Sequence, residues 1–180
     1  MVDPDIGALI VAGMALLLAS ASWHKWRALP EFESVLAAYH LVPQAIAGAA
    51  ARLVPAIEVA IAAALLVGPT RSWAALAGAA LLLAYAGGIA INLRRGRRDL
   101  DCGCAGPEDR RSIAPWMVVR NVVLAAALGV AAVPWSVRPL GPIDALTIGG
   151  GLATLAVLYH AVDRLLGQVM PRGATLRSSQ

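Results

Sequence analysis

Four stretches of this 180-residue chain carry no charged side chain for long enough to cross a bilayer: Ile6 to Trp23, Trp73 to Leu93, Asn121 to Val137 and Ala145 to Val162. A hydrocarbon core of about 30 Å asks for roughly 17 to 25 such residues. A fifth run, Leu53 to Val67, is interrupted only by Glu58. That carboxylate sits within an Ala/Ile/Leu/Val helical pattern and is tolerable in a membrane if it faces the interior of a bundle. The pattern predicts an all-α integral membrane helical bundle of about five transmembrane helices. It forms a single domain over residues 1–170, followed by a polar tail over 171–180. No internal repeat is visible.

The breaks between runs have local causes. Pro30 interrupts the chain after the first run, and Glu31 to His40 mixes polar and apolar residues at helical spacing. This predicts a short amphipathic helix along the interface, with Pro43 ending it. Gly68-Pro69-Thr70 predicts a tight outer turn, Pro115 suits the first turn of the fourth helix, and Pro134, Pro139 and Pro142 mark a second outer loop. Ala74 with Gly78, and Ala125 with Gly129, set small residues four apart and permit close helix contact, although a chain this rich in alanine produces such pairs by chance.

Composition sharpens the class: 59% of residues are hydrophobic and 14% charged, against about 25% charged in soluble domains. The first run could be mistaken for a secretory signal, but its flanks are reversed, with Asp3 and Asp5 before it and His24, Lys25 and Arg27 after. It reads as a membrane anchor. With five spans, twelve basic residues fall on one face and only Arg71 and Arg138 on the other, Arg120 lying within a span. Positive residues mark the cytoplasmic face. The expected protein is therefore multi-pass in the plasma (inner) membrane, amino terminus outside, with the 93–116 loop in the cytoplasm. The pI of 9.7 reflects these arginines. No basic stripe with interleaved aromatics accompanies them, so nucleic acid is not the expected partner and anionic lipid headgroups are.

Depth singles out a few polar residues. At about 1.5 Å per residue, Glu58 lies roughly 8 to 10 Å inside the cytoplasmic end of the second run, and Arg120 with Asn121 roughly 8 Å inside the same end of the fourth. His24 and Asn92 end the first and third runs on that face. A buried carboxylate and guanidinium are tolerable together when a bidentate contact offsets desolvation, so Glu58 and Arg120 are expected to pair. In the alternative, Arg120 snorkels to the headgroups and Glu58 is held neutral.

Both cysteines lie in the one arginine-rich loop, within Asp101-Cys102-Gly103-Cys104-Ala105-Gly106. As metal ligands they supply two of the four a closed zinc site needs, leaving His24, His40 or a second subunit to complete it. In a second reading they are inert. In a third they exchange disulfides: cationic neighbours raise the thiolate fraction, while Asp99 and Asp101 oppose this. Cys104, nearer the start of the fourth helix, feels more of its dipole and is the favoured nucleophile. The sequence requires no cofactor, and quinone use is left open.

The order His24-Lys25 after the first run, Glu58 in a second run closing at Gly68, Asn92-Leu93, the Cys-Gly-Cys-Ala-Gly element and Arg120-Asn121 resembles the methylamine utilisation protein MauE family, related to DoxX-like membrane proteins. The resemblance covers nearly the whole chain. It implies a four-helix DoxX-like core plus one helix. It also implies an accessory role in maturing a disulfide-rich exported client, the small subunit of methylamine dehydrogenase, alongside a thioredoxin-like redox partner. Cys102 and Cys104 would then be catalytic, with His24, Lys25, Glu58, Asn92, Arg120 and Asn121 supporting them. Cytoplasmic cysteines and an exported client lie on opposite faces, which requires electron transfer across the membrane or movement of the loop. The competing function is a non-enzymatic membrane scaffold or small-solute carrier.

Overall fold

A computed structural model describes residues 3–101, 112–134 and 141–169. Six α-helices account for most of them: α1 (Pro4–Arg27), α2 (Leu29–Tyr39), α3 (Gln44–Leu65), α4 (Arg71–Arg94), α5 (Pro115–Ala131) and α6 (Pro142–Val169), with a 3₁₀ turn at Gly68–Thr70. α1, α3, α4 and α6 are long and apolar enough to cross a membrane, while the apolar α5 has 17 residues, roughly 25 Å at 1.5 Å per residue. The molecule is a multi-pass membrane helical bundle.

Several helix ends have a reason legible in their residues. Asp3 caps α1, its Oδ1 accepting from the Asp5 N–H at 2.9 Å, and Pro4 and Pro115 occupy first turns where no N–H is needed. In α6, Asp144 Oδ2 accepts from the Gly141 N–H at 2.6 Å, one half of a capping box. α4 ends at Gly96, whose φ of 75° suits glycine. Its N–H reaches the Leu93 carbonyl at 3.1 Å, and that of Arg97 reaches Asn92 at 3.0 Å, the pair of bonds that closes a helix on a left-handed residue.

α1, α3, α4 and α5 pack in a closed ring, and α6 lies outside it against α1. The core runs along the ring axis through Val11, Leu18, Ile61, Leu65, Leu82 and Leu128. Gly78 makes room there: a β-carbon would come within 2.8 Å of Leu128 Cδ1 and 3.3 Å of Ile61 Cγ2, and Leu128 would have to shift. The Ala74/Gly78 pair is thus a true close approach. Gly129 is not one, since a β-carbon there meets nothing within 4 Å.

Two boundaries differ from the sequence expectation. α2 forms as an amphipathic helix, but it ends at Tyr39 with His40 left-handed at φ 49°, and Pro43 caps the start of α3 instead. α3 itself begins at Gln44, nine residues before the apolar run. Its alanine-rich first turns favour helix, and the exposed Arg52 lies along the flank with Nη1 donating to the Gly48 carbonyl at 3.2 Å. Glu58 is therefore roughly 21 Å along α3 from Gln44, not a turn or two inside its end.

Candidate functional site

The polar residues of the bundle gather toward the end where α1 and α4 finish. Ser22 and Lys25, three apart, share the face of α1 that meets α3. Pro55 and Glu58, also three apart, share the facing side of α3. All four are buried. Ser22 Oγ donates to the Pro55 carbonyl at 2.8 Å, which sets the register of the two helices. Pro55 has no N–H, so the Ala51 carbonyl loses its regular helical donor and the α3 ladder is interrupted one turn from Glu58.

That register seats Lys25 Nζ on Glu58 Oε1 as a buried ion pair. Tyr85, from α4, donates its hydroxyl to the same oxygen at 2.7 Å. The Lys25 ammonium lies 5.2 Å from the centre of the Tyr85 ring and 5.4 Å from that of Phe32, so aromatic rings from α2 and α4 both lie against it. Glu58 is 0% exposed, and its Oε2 has no hydrogen-bond partner among the described residues. The cluster thus has one surplus acceptor in a site closed to water.

The expected Glu58–Arg120 pair is not formed. Lys25 takes the carboxylate, because the α1–α3 register places its long side chain level with Glu58. Arg120 is half-buried on α5. Its guanidinium lies 5.2 Å from the Trp116 ring and donates through Nη1 to Tyr159 Oη of α6 at 3.3 Å.

Nearer the bundle end, Asn92 is fully buried. Its Nδ2 donates to the Gly88 carbonyl at 3.1 Å and to Tyr39 O, the last carbonyl of α2, at 3.3 Å, while its Oδ1 accepts from Arg97 Nη1 at 3.4 Å. Asn92 therefore ties the end of α2 to the end of α4. Asn121, also buried, donates to the Met117 carbonyl at 3.0 Å. His24 faces outward on α1, away from the cluster. The structure thus brings Lys25 and Glu58 together, and leaves His24 and Arg120 apart from them.

Cys102 and Cys104 lie outside the described residues. The ends of their segment are described. Asp101 and Ser112 form an antiparallel bridge, and the Ile113 N–H donates to the Leu100 carbonyl at 2.9 Å. Ile113 is buried with Ile89 and Met117, against Tyr39, Leu93 and Leu100.

Tyr85, Ser22 and Phe32 escaped the sequence reading. Tyr85 lies seven residues before Asn92, on the same helical face. A second signal was available in the composition: Lys25 is the single lysine of a chain with fourteen arginines. An arginine-rich protein that keeps one lysine, and buries it, is using the compact ammonium where a guanidinium does not fit.

A multi-pass helical bundle with a charge cluster buried between its first three long helices is the class these features define. The family model described as methylamine utilisation protein MauE matches residues 4–134. A methylamine utilization protein MauE of Methylophilus methylotrophus is 36% identical over 167 residues, 92% of this chain and 88% of that one. One from Paracoccus versutus is 38% identical over 166 residues, 92% and 89% of the two chains. Another, from Methylorubrum extorquens, is 35% identical over 159 residues, 88% and 85%. The chain belongs to the MauE family. No solved structure matches it.

Proposed function

We propose that this protein serves methylamine utilisation as a redox accessory of the plasma membrane, with Cys102 and Cys104 exchanging disulfides during maturation of an exported client. Membership of the MauE family supports the process. The observation that carries the chemistry is the closed base of the cysteine segment. The Asp101–Ser112 bridge brings together the two residues that flank the 102–111 segment, and both thiols of the chain lie within that segment of the sequence. One thiolate attacks a disulfide of a thioredoxin-like partner, forming a mixed disulfide and releasing a partner thiolate. The second cysteine then attacks its neighbour's sulfur, leaving Cys102–Cys104 oxidised and the partner a dithiol; the reverse sequence oxidises the partner.

The protein has its amino terminus outside and the cysteine loop in the cytoplasm. Setting aside Lys25, which is committed to Glu58, eleven basic residues still face that side against two. Electrons exchanged at the loop then cross the membrane to reach an exported client. Lys25, Glu58, Asn92 and Asn121 support the loop by fixing the helices on which it stands. The test is to trap the mixed disulfide from a Cys102→Ser or a Cys104→Ser variant and identify the attached protein. Capture of a thioredoxin-fold protein by one single variant, and by neither after both cysteines are replaced, is expected. Thiols that stay reduced and unreactive across a reductant titration would instead leave the scaffold or small-solute carrier reading.

A further inference from the structure

The groups around Glu58 are arranged unevenly. Lys25 and Tyr85 both donate to Oε1, while Oε2, buried as well, has no hydrogen-bond partner among the described residues. A carboxylate spreads its charge over both oxygens and takes donors at each, whereas in a carboxylic acid one oxygen accepts as a carbonyl and the other carries a proton of its own. The donors at Glu58 follow the acid pattern, with Oε1 as the carbonyl and Oε2 as the place for the hydrogen. A buried carboxylate oxygen without a donor costs more than a neutral hydroxyl without an acceptor. A proton at Oε2 therefore relieves the unmet position, and neither donor has to move.

The cation is provided for in that state too. The Lys25 ammonium lies against the rings of Tyr85 and Phe32, so two π faces still hold it when the carboxyl turns neutral. Each element packed on α3 at this level presents a known group. α1 contributes Lys25 and the neutral Ser22, α4 contributes Tyr85, and α2 contributes the apolar Phe32, its Glu33 lying instead along Gly48, ten residues earlier on α3. The site is also closed: Glu58 is 0% exposed, which leaves no room at Oε2 for anything larger than a proton.

We propose that Glu58 is a proton-exchange site inside the bilayer, taking one proton at Oε2 and releasing it again while Lys25 and Tyr85 hold Oε1. In uptake an acid of the surrounding water gives up its proton and keeps the bonding pair as its conjugate base, and a new O–H bond forms at Oε2. Lys25 stays an ammonium throughout, so the cluster passes from net neutral to singly positive. Ionisable residues within membrane spans mark ion and proton sites by default, and the closed geometry selects the proton. Because water does not reach Oε2, exchange runs through local opening of the bundle and is slower than at surface carboxyls. The site is built by side chains of α1, α3 and α4 and does not depend on the cysteine chemistry.

The chain has only four glutamates, Glu31, Glu33, Glu58 and Glu108, so infrared spectra of the full-length protein in lipid nanodiscs, with isotopically labelled glutamate, contain few carboxyl bands to assign. On a step from neutral to mildly acidic buffer the protein is expected to gain the carbonyl stretch of a neutral carboxyl that rises after those of the other glutamates. The band should fall again on return to neutral buffer and be lost in Glu58→Gln. Tyr85→Phe makes the same assignment with both charges kept, since loss of one donor from Oε1 should move this band to higher frequency and leave the other glutamate bands in place. Replacing both cysteines with serine should leave it unchanged. The proposal is overturned if no such band appears while the amide bands still report folded helix, which marks a fixed carboxylate. It is equally overturned if the band is present and constant at every pH, which marks a permanent acid, or if Tyr85→Phe leaves it where it was.

Discussion

Replacing Lys25 with methionine keeps most of the side-chain volume and removes the cation from Glu58. The carboxylate then stays buried at 0% exposure with only the Tyr85 hydroxyl to meet its charge. Breaking a buried pair by removing one partner costs about 3 to 5 kcal/mol, chiefly because the other charge is left uncompensated. Glu58→Gln should cost a similar amount from the other side, leaving the ammonium between two rings without an anion. The double variant removes both charges together, so its loss should fall well short of the sum. The coupling should reach the upper part of the roughly 0.5 to 3 kcal/mol range seen for residues in contact. Reversible unfolding in mixed micelles measures all four corners of the cycle. Arg120→Met provides the control: its loss should add to that of Glu58→Gln, because Arg120 is engaged with Trp116 and Tyr159. Additive losses for Lys25 and Glu58, or strong coupling between Glu58 and Arg120, would refute the assignment.

Further outcomes follow from the same packing. Gly78→Ala should destabilise the bundle by about 1 to 3 kcal/mol in the same assay, the cost of overpacking a filled core, whereas Gly129→Ala should not. Asn92→Ala removes the amide that joins α2 to α4 and should cost about 1 to 3 kcal/mol, the penalty for buried partners left unmet; hydrogen exchange should rise first at the end of α2. A membrane-impermeant maleimide applied to intact cells should miss Cys102 and Cys104 and label them only after lysis; labelling from outside would reverse the orientation.

Much of this architecture is legible in the sequence because hydrocarbon enforces it. The five runs became five long helices, Pro115 starts α5, and the amphipathic stretch after Pro30 became α2. Glu58 was marked as a residue that must face inward, and it does. Its partner was misread for a physical reason. The apolar run starts just after Arg52, but a helix passes a charge on its exposed flank without a break, and α3 begins at Gln44. Lys25, next to His24 and Arg27 at the end of α1, looked like one more headgroup-facing cation. Only the register fixed by Ser22 and Pro55, with Phe32 of α2 set against the ammonium, turns it inward. Register and chain reversal are tertiary facts that a single run of residues does not encode. The cysteines differ again: spacing and neighbouring arginines raise their chemistry, while reactivity depends on a partner that the chain does not contain.

The proposed role of Cys102 and Cys104 as a redox pair in maturing an exported client has a direct test. It consists of replacing both with serine in the native host and measuring the disulfide-bonded, active fraction of the methylamine-oxidising enzyme during growth on methylamine. The double variant should reach the membrane at normal abundance yet yield almost no mature enzyme. Full maturation with both cysteines absent would rule that role out.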